Sequence, residues 1–216
     1  MPALFHHDVN GDIQLRLLEH SDAETVFSLV DRSRLYLQKW LPWVAATKTV
    51  DDSHLFIKTT RNQFASHNGF QAGIWYKEQL TGIIGFHELN WPNRSTSIGY
   101  WLGEAFQGQG IMTSSCRALV DIAFHEYGLN RVEIQAAAGN RRSRSIPERL
   151  GFQNEGCRRQ AEWLQDHFVD HVLYGMLAED WSSGRAGHEK KRPSAGSHLP
   201  LLHASVASLT QYAQTE

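Results

Sequence analysis

One stretch near the middle of the chain limits its fold more than any other. It runs Ser97-Ile98-Gly99-Tyr100-Trp101-Leu102-Gly103-Glu104-Ala105-Phe106-Gln107-Gly108-Gln109-Gly110-Ile111-Met112-Thr113. An apolar, strand-like run ends at Leu102, and a glycine-bearing loop follows. A helical pattern then opens, with Ile111, Cys116, Leu119, Val120, Ile122, Ala123 and Phe124 on the apolar side. Glycines let the backbone come close to an anion. The first N–H groups of the following helix have no intrahelical partner and point toward it. The loop is not a P-loop, because no Gly-Lys-Ser/Thr follows. It is a poor dinucleotide fingerprint, because the third glycine is missing. Alone it is a weak signal that also fits a plain tight turn before a helix.

The 216 residues suit one domain with a tail, and the 41% hydrophobic content is enough for a core. A formal charge of −2 gives no global attraction to nucleic acid or an anionic membrane. No apolar run is long enough to span a bilayer, so no membrane partner is expected. Met1 to Asp12 lacks a basic segment followed by an apolar one, which argues against a secretory signal. Cys116 and Cys157, the two cysteines, read as free thiols. The expected location is cytoplasmic.

Asp12 to Leu18 alternates and predicts a strand. Ser21-Asp22-Ala23-Glu24 reads as a capping-box start of a helix. Trp40-Leu41-Pro42-Trp43 forms an aromatic loop. A second helix is expected from Asp51 to Ser66, with Leu55, Phe56, Ile57 and Phe64 inward. Strands follow at Phe70–Lys77, Leu80–Asn90 and Ser95–Leu102 as an antiparallel meander. The glycine loop then leads into a helix reaching about Tyr127. Arg131–Ala138 reads as a strand, Ser143–Leu150 as a helix, and Phe152–Trp163 with Phe168–Leu177 as a last strand pair. The pattern is a mixed α+β domain of about 180 residues, with helices and strands in one layered unit. Residues 1–181 form that domain. Residues 182–216, rich in Ser, Gly and charge, read as a disordered tail, with Leu199–Leu209 able to form only a short amphipathic helix.

Three ordered blocks together resemble the GNAT superfamily of acetyl-CoA-dependent N-acetyltransferases. Gln107-Gly108-Gln109-Gly110 resembles its pyrophosphate loop, although Met112 stands where a small residue is usual. Asn140-Arg141-Arg142-Ser143 with Leu150-Gly151-Phe152 is similar to the segment beside the pantetheine arm. Glu155-Gly156-Cys157 and Gln160-Ala161-Glu162-Trp163, with Trp40-Leu41-Pro42-Trp43, resemble the Rim-type branch, which acetylates N-termini of ribosomal proteins. The resemblance covers about residues 10 to 180. It implies the GNAT fold: a mostly antiparallel twisted sheet of six to seven strands, splayed at the acetyl-CoA site and flanked by about four helices. It also implies acetyl-CoA as co-substrate and no metal, and is compatible with a homodimer, while the oligomeric state is left open by the sequence.

The resemblance places the donor against Trp101, Leu102, Gln107, Gly108, Gln109, Gly110, Ile111, Met112, Thr113, Asn140 and Ser143. Asn140 reads equally well as a helix cap. The acceptor amine must be neutral to attack. An α-amine titrates near ~8 and a lysine amine near ~10.4, so the lysine costs about 3 kcal/mol more to deprotonate. One carboxylate is a sufficient base for an α-amine. Glu162 matches the Rim-type base position, and Glu88, on the strand before the loop, is the second candidate. A backbone N–H near Leu102 is the candidate oxyanion donor. Ser143 matches the position that returns a proton to the leaving thiolate, with Ser145 behind it.

Trp40, Trp43 and Trp163 are the candidate walls of the acceptor site, where rigid aromatics would suit a peptide N-terminus. Arg141, Arg142 and Arg144 read mainly as a solvated face. The twelve histidines include His167 and His171, about 13 Å apart on a strand and without a zinc-like pattern. The expected acceptor is a protein α-amine. A small polyamine or aminoglycoside, a non-catalytic acyl-CoA-binding module, and transfer through Cys116 or Cys157 are the competing readings. No nucleic acid is expected to bind directly.

Overall fold

Ile13, Leu15 and Leu17 are buried while Gln14 and Arg16 between them are half-buried, so the predicted alternation holds as strand β2 (Ile13–Leu17). In the computed structural model, which describes residues 5–185, β2 belongs to an eight-stranded sheet. The strands are β1 (His6–Asp8), β2, β3 (Phe70–Tyr76), β4 (Gln79–Asn90), β5 (Ser95–Leu102), β6 (Arg131–Ala137), β7 (Gln153–Leu164) and β8 (His167–Leu177). Their order is β1-β2-β3-β4-β5-β6-β8-β7. This is one strand more than the six to seven expected. β1 is short and two of its residues are histidines, so it carries no alternation signal. It forms by pairing with the β2 edge, His7 opposite Leu15.

The helices are α1 (Ala23–Arg32), α2 (Arg34–Leu37), α3 (Val50–Ala65), α4 (Ile111–Asp121), α5 (Arg141–Arg149) and α6 (Ala178–Arg185). The capping box before α1 sits earlier than expected: Glu19, not Ser21, is the cap, and its N–H donates to Asp22 Oδ2 at 2.8 Å. α3 starts with its own box, in which the Thr49 N–H donates to Asp52 Oδ2 at 2.8 Å. Its buried stripe is Ser53, Ile57 and Thr60, which leaves Leu55 64% exposed rather than inward. α4 passes into a π-turn over Ile122–Glu126, ending at the expected Tyr127. α6 continues through Ser182-Ser183-Gly184, so the chain stays helical past the expected start of the tail. Positions 186–216, including the Leu199–Leu209 segment, lie outside the described residues.

Strands β2 to β5 run antiparallel in sequence order. β5 and β6 are parallel neighbours but pair only from Ser95–Arg131 to Ser97–Glu133. Beyond Ser97 the two strands diverge. The closed end is clamped by Arg131, which donates to Glu133 Oε1 at 2.8 Å and to Glu155 Oε1 at 2.7 Å. These acids hold the Arg131 guanidinium above its ordinary range. Gly175 of β8 lies beneath the clamp, where a Cβ would sit 2.3 Å from Glu155 Oε1. The main core packs α4 residues Ile111, Cys116 and Leu119 on sheet residues Leu15, Ile74, Ile84, Phe86, Ile134 and Tyr174. A second cluster joins Val26, Leu29 and Ile57 to Ile83 on the other face. The two clusters fix both strands of the gap, so the gap is a built feature of the sheet.

Candidate active site

The gap between β5 and β6 opens into a cleft of about 1540 Å³. On the β5 side, the Gly103 N–H donates to Thr81 O at 2.8 Å, toward β4. Alternation along the strand then turns the Leu102 and Tyr100 N–H groups the other way, into the gap. A peptide-like arm can pair with this edge as an added strand.

At the end of β5 the chain makes a 3-10 turn (Glu104–Phe106) and then the Gln107–Gly110 loop. Gly108 and Gly110 both have φ of +76°, and Gly110 is the cap of α4. An added Cβ at either glycine would meet nothing within 4 Å. Backbone conformation, with open space above it, is therefore what requires glycine here. The N–H groups of Ile111, Met112 and Thr113 at the start of α4 face the cleft lined by Gln107 to Thr113.

α5 forms the second wall. Asn140 is its cap, its Oδ1 accepting from the Ser143 N–H at 3.2 Å. Tyr100 donates from Oη to Ser143 O at 3.0 Å, and Ser143 Oγ donates to Tyr100 Oη at 3.4 Å. Burial drives the Tyr100 phenol far up, so it stays a neutral donor. The arginines of α5 divide. Arg144 donates to Tyr174 Oη and to Ala138 O, each at 2.9 Å, and serves packing. Arg142 donates to Gln107 Oε1 at 2.7 Å, an oxygen that also accepts from Tyr36 Oη at 3.0 Å. Arg149 donates to Thr113 Oγ1 at 2.8 Å. Arg142 and Arg149 thus flank the loop, and neither has a carboxylate within ion-pair distance among the described residues.

The aromatic end of the cleft is lined by Trp40, Trp43, Phe56 and Trp101. The Trp43 and Trp101 rings stand 5.8 Å apart and tilted. Trp40 covers Gly139, where a Cβ would lie 3.6 Å from the indole. His87 points its Nε2 at Gly99, where a Cβ would come within 2.0 Å of that nitrogen. Partial burial holds its imidazole below the ordinary value and favours the neutral form. Glu162 lines the wall across the gap from β5. The β7–β8 turn is tied over this end by Gln165, whose Nε2 donates to Gln38 O at 2.6 Å.

Two expected residues fall outside the cleft. Glu88 points to solvent on the far side of the β4 bulge between Phe86 and Leu89, and His87 takes the inward place. Trp163 is 53% exposed and packs edge-on against Phe168, ring centroids 4.8 Å apart. It follows Glu162 directly in a strand, so the two side chains face opposite sides. Tyr36 and Arg149 have no assigned role in the sequence reading, Tyr100 counts only as strand edge, and His87 and His171 only as rejected metal ligands; all five line the cleft. His167 pairs with Asp166 at 2.8 Å and His171 with Glu162 at 3.3 Å. Cys116 is fully buried and its thiol is pushed up to about 12 by burial, while the exposed Cys157 does not line the cleft.

An anion-holding helix start, a free strand edge for an amide-bearing arm and a carboxylate across the gap define an acyl-group transferase. The comparisons with known proteins give the family. The model of the "Acetyltransferase (GNAT) domain" matches residues 12–153, and the chain belongs to this family. It is 40% identical over 179 residues to the protein named "Putative ribosomal N-acetyltransferase YdaF" from Bacillus subtilis (strain 168), covering 82% of this chain and 98% of that one. It is 29% identical over 174 residues to the ribosomal-protein-serine acetyltransferase of Escherichia coli (strain K12), covering 79% and 96%. Among solved structures it resembles RimL, a ribosomal L7/L12 α-N-protein acetyltransferase in complex with coenzyme A. That match has a TM-score of 0.79 and 26% identity, and covers 82% of this chain and 99% of that one.

Proposed function

We propose that the protein moves an acetyl group directly from acetyl-CoA to the N-terminal α-amine of a ribosomal or other protein. In this reading the Ile111, Met112 and Thr113 amides and the loop hold the pyrophosphate, with Arg142 and Arg149 at its flanks. The pantetheine amides lie along Trp101 and Leu102, with Asn140 capping α5 beside them. Glu162 takes a proton from the acceptor ammonium. The amine lone pair then attacks the thioester carbon, and the Leu102 N–H stabilises the oxyanion. Collapse breaks the C–S bond, and Ser143, held by Tyr100, delivers the second amine proton to the sulfur.

The observation that carries the α-amine reading is the small number of acids in the cleft. Among the described residues its lining acids are Asp52, Glu104 and Glu162. Asp52 is committed to the α3 capping box, whose backbone donors hold its carboxyl below the usual range. Glu104 belongs to the 3-10 turn on the loop side. Glu162 alone serves the aromatic end, and one carboxylate suits one amine rather than a polycation. Direct transfer follows from the buried, neutral Cys116 and from Cys157 lying off the cleft. Two free thiols suit the reducing cytoplasm. The test is kinetic: Glu162→Gln lowers kcat about a hundredfold or more while the acetyl-CoA KM holds. Equal loss from Glu88→Gln with none from Glu162→Gln would reverse the assignment.

A further inference from the structure

Glu162 is not a lone base. Its Oε2 lies 3.3 Å from His171 Nε2. Both side chains line the cleft, and they are 32% and 18% exposed. The contact depends on an irregularity in β7. Gln160 has φ of +48°, and its N–H donates to Asp170 Oδ1 at 2.8 Å. The register slips there: Arg158 opposes His171, whereas Glu162 opposes Val169. In an unbroken ladder Glu162 would face His167. The slip moves it along β8 so that its side chain meets His171 on the diagonal of one sheet face. Arg158, which opposes His171 in the ladder, donates to Gln135 Oε1 at 3.3 Å.

We propose that His171 is the proton-relay partner of Glu162, a positioning residue through which the base discharges its proton. The inference rests on the acetyl-transfer reading above. An incoming ammonium breaks one N–H bond and gives that proton to the carboxylate–imidazole pair, whose charge rises from −1 to 0. The neutral amine then forms the C–N bond, the C–S bond breaks, and the second amine proton ends on the CoA sulfur. The first proton leaves the pair through the imidazole to water, which restores the starting charge. Histidine suits this step because one ring nitrogen can take a proton while the other releases one. A carboxylate facing only apolar walls would have no such outlet.

The test is a double-mutant cycle on the full chain, read by thiol release from saturating acetyl-CoA with an α-amine peptide. His171→Ala is expected to lower kcat about tenfold or more, with the acetyl-CoA KM unchanged. The Glu162→Gln/His171→Ala double variant is expected to be no slower than Glu162→Gln alone. Added imidazole restores part of the His171→Ala rate and none of the double variant's. His171→Gln keeps a donor toward Glu162 but cannot relay, so it stays as slow as His171→Ala. Wild-type kcat in His171→Ala or His171→Gln, or losses that multiply in the double variant, would overturn the relay while leaving Glu162 as the base. Wild-type kcat in Glu162→Gln would overturn both the relay and the assignment of the base.

Discussion

Tyr100 and Ser143 exchange two hydrogen bonds across the open end of the sheet, Oη to backbone carbonyl at 3.0 Å and Oγ to Oη at 3.4 Å. One residue belongs to β5 and the other to α5, so the pair sets how far the gap opens. Tyr100→Phe leaves the Ser143 carbonyl without this donor and is expected to cost about 1 kcal/mol of stability. Urea unfolding measures the loss. Ser143→Ala is expected to lower kcat with little change in acetyl-CoA KM, since the backbone carbonyl stays in place.

Gly110 holds α4 at its start with a left-handed backbone. Gly110→Ala fits sterically but is strained, at about 1 kcal/mol. Gly110→Asp adds a negative charge where the helix dipole is positive and the pyrophosphate is proposed to sit. Calorimetry is expected to find CoA binding at least tenfold weaker in Gly110→Asp. An unchanged Kd would show that the loop does not hold the phosphates.

Arg142 and Arg149 supply the positive charge beside that loop. Either Arg→Ala change is expected to weaken CoA binding severalfold and to flatten its dependence on salt, because exposed charge pairs are screened. Titrations at low and high ionic strength check both effects. Arg144→Ala acts differently: it removes the donor to Tyr174 Oη and Ala138 O, so stability falls and CoA affinity holds.

Burial pushes the Cys116 thiol to about 12 and also raises Tyr100 and Tyr127. The folded state then binds more protons than the unfolded state above the free thiol value near ~8.5. This stabilising contribution is complete below that pH and is lost as pH rises toward 12. Melting temperatures are expected to fall across that alkaline window, less steeply in Cys116→Ala. Acetyl-cysteine is not expected on the enzyme without acceptor, and intact-mass spectrometry checks this.

The backbone geometry around the proposed donor half was legible in the sequence because it rests on local rules. A strand ending at Leu102, glycines at 108 and 110, and Asn140 three residues before Ser143 each state a backbone geometry. The acceptor half depends on register, which is set by strand pairing. The bulge at His87 and Glu88 decided which of the two faces inward, and nothing local marked it. The slip at Gln160 brought Glu162 to His171, which sequence reasoning considers only for metal binding, with His167. Trp163 lies off the cleft that Glu162 lines, as strict alternation along β7 requires. Arg149 was missed because its role follows from two turns of α5 that face the loop, while Arg141, Arg142 and Arg144 form the more visible cluster.

The central claim is acetyl transfer to a protein α-amine. It is tested most directly by thiol release from acetyl-CoA against N-terminal peptides, polyamines and aminoglycosides in parallel, with products located by mass spectrometry. The account predicts turnover with peptides, acetyl on the α-nitrogen, and rates at background for the polycations. Turnover confined to polyamines or aminoglycosides, or no turnover with any amine while CoA still binds, would contradict it.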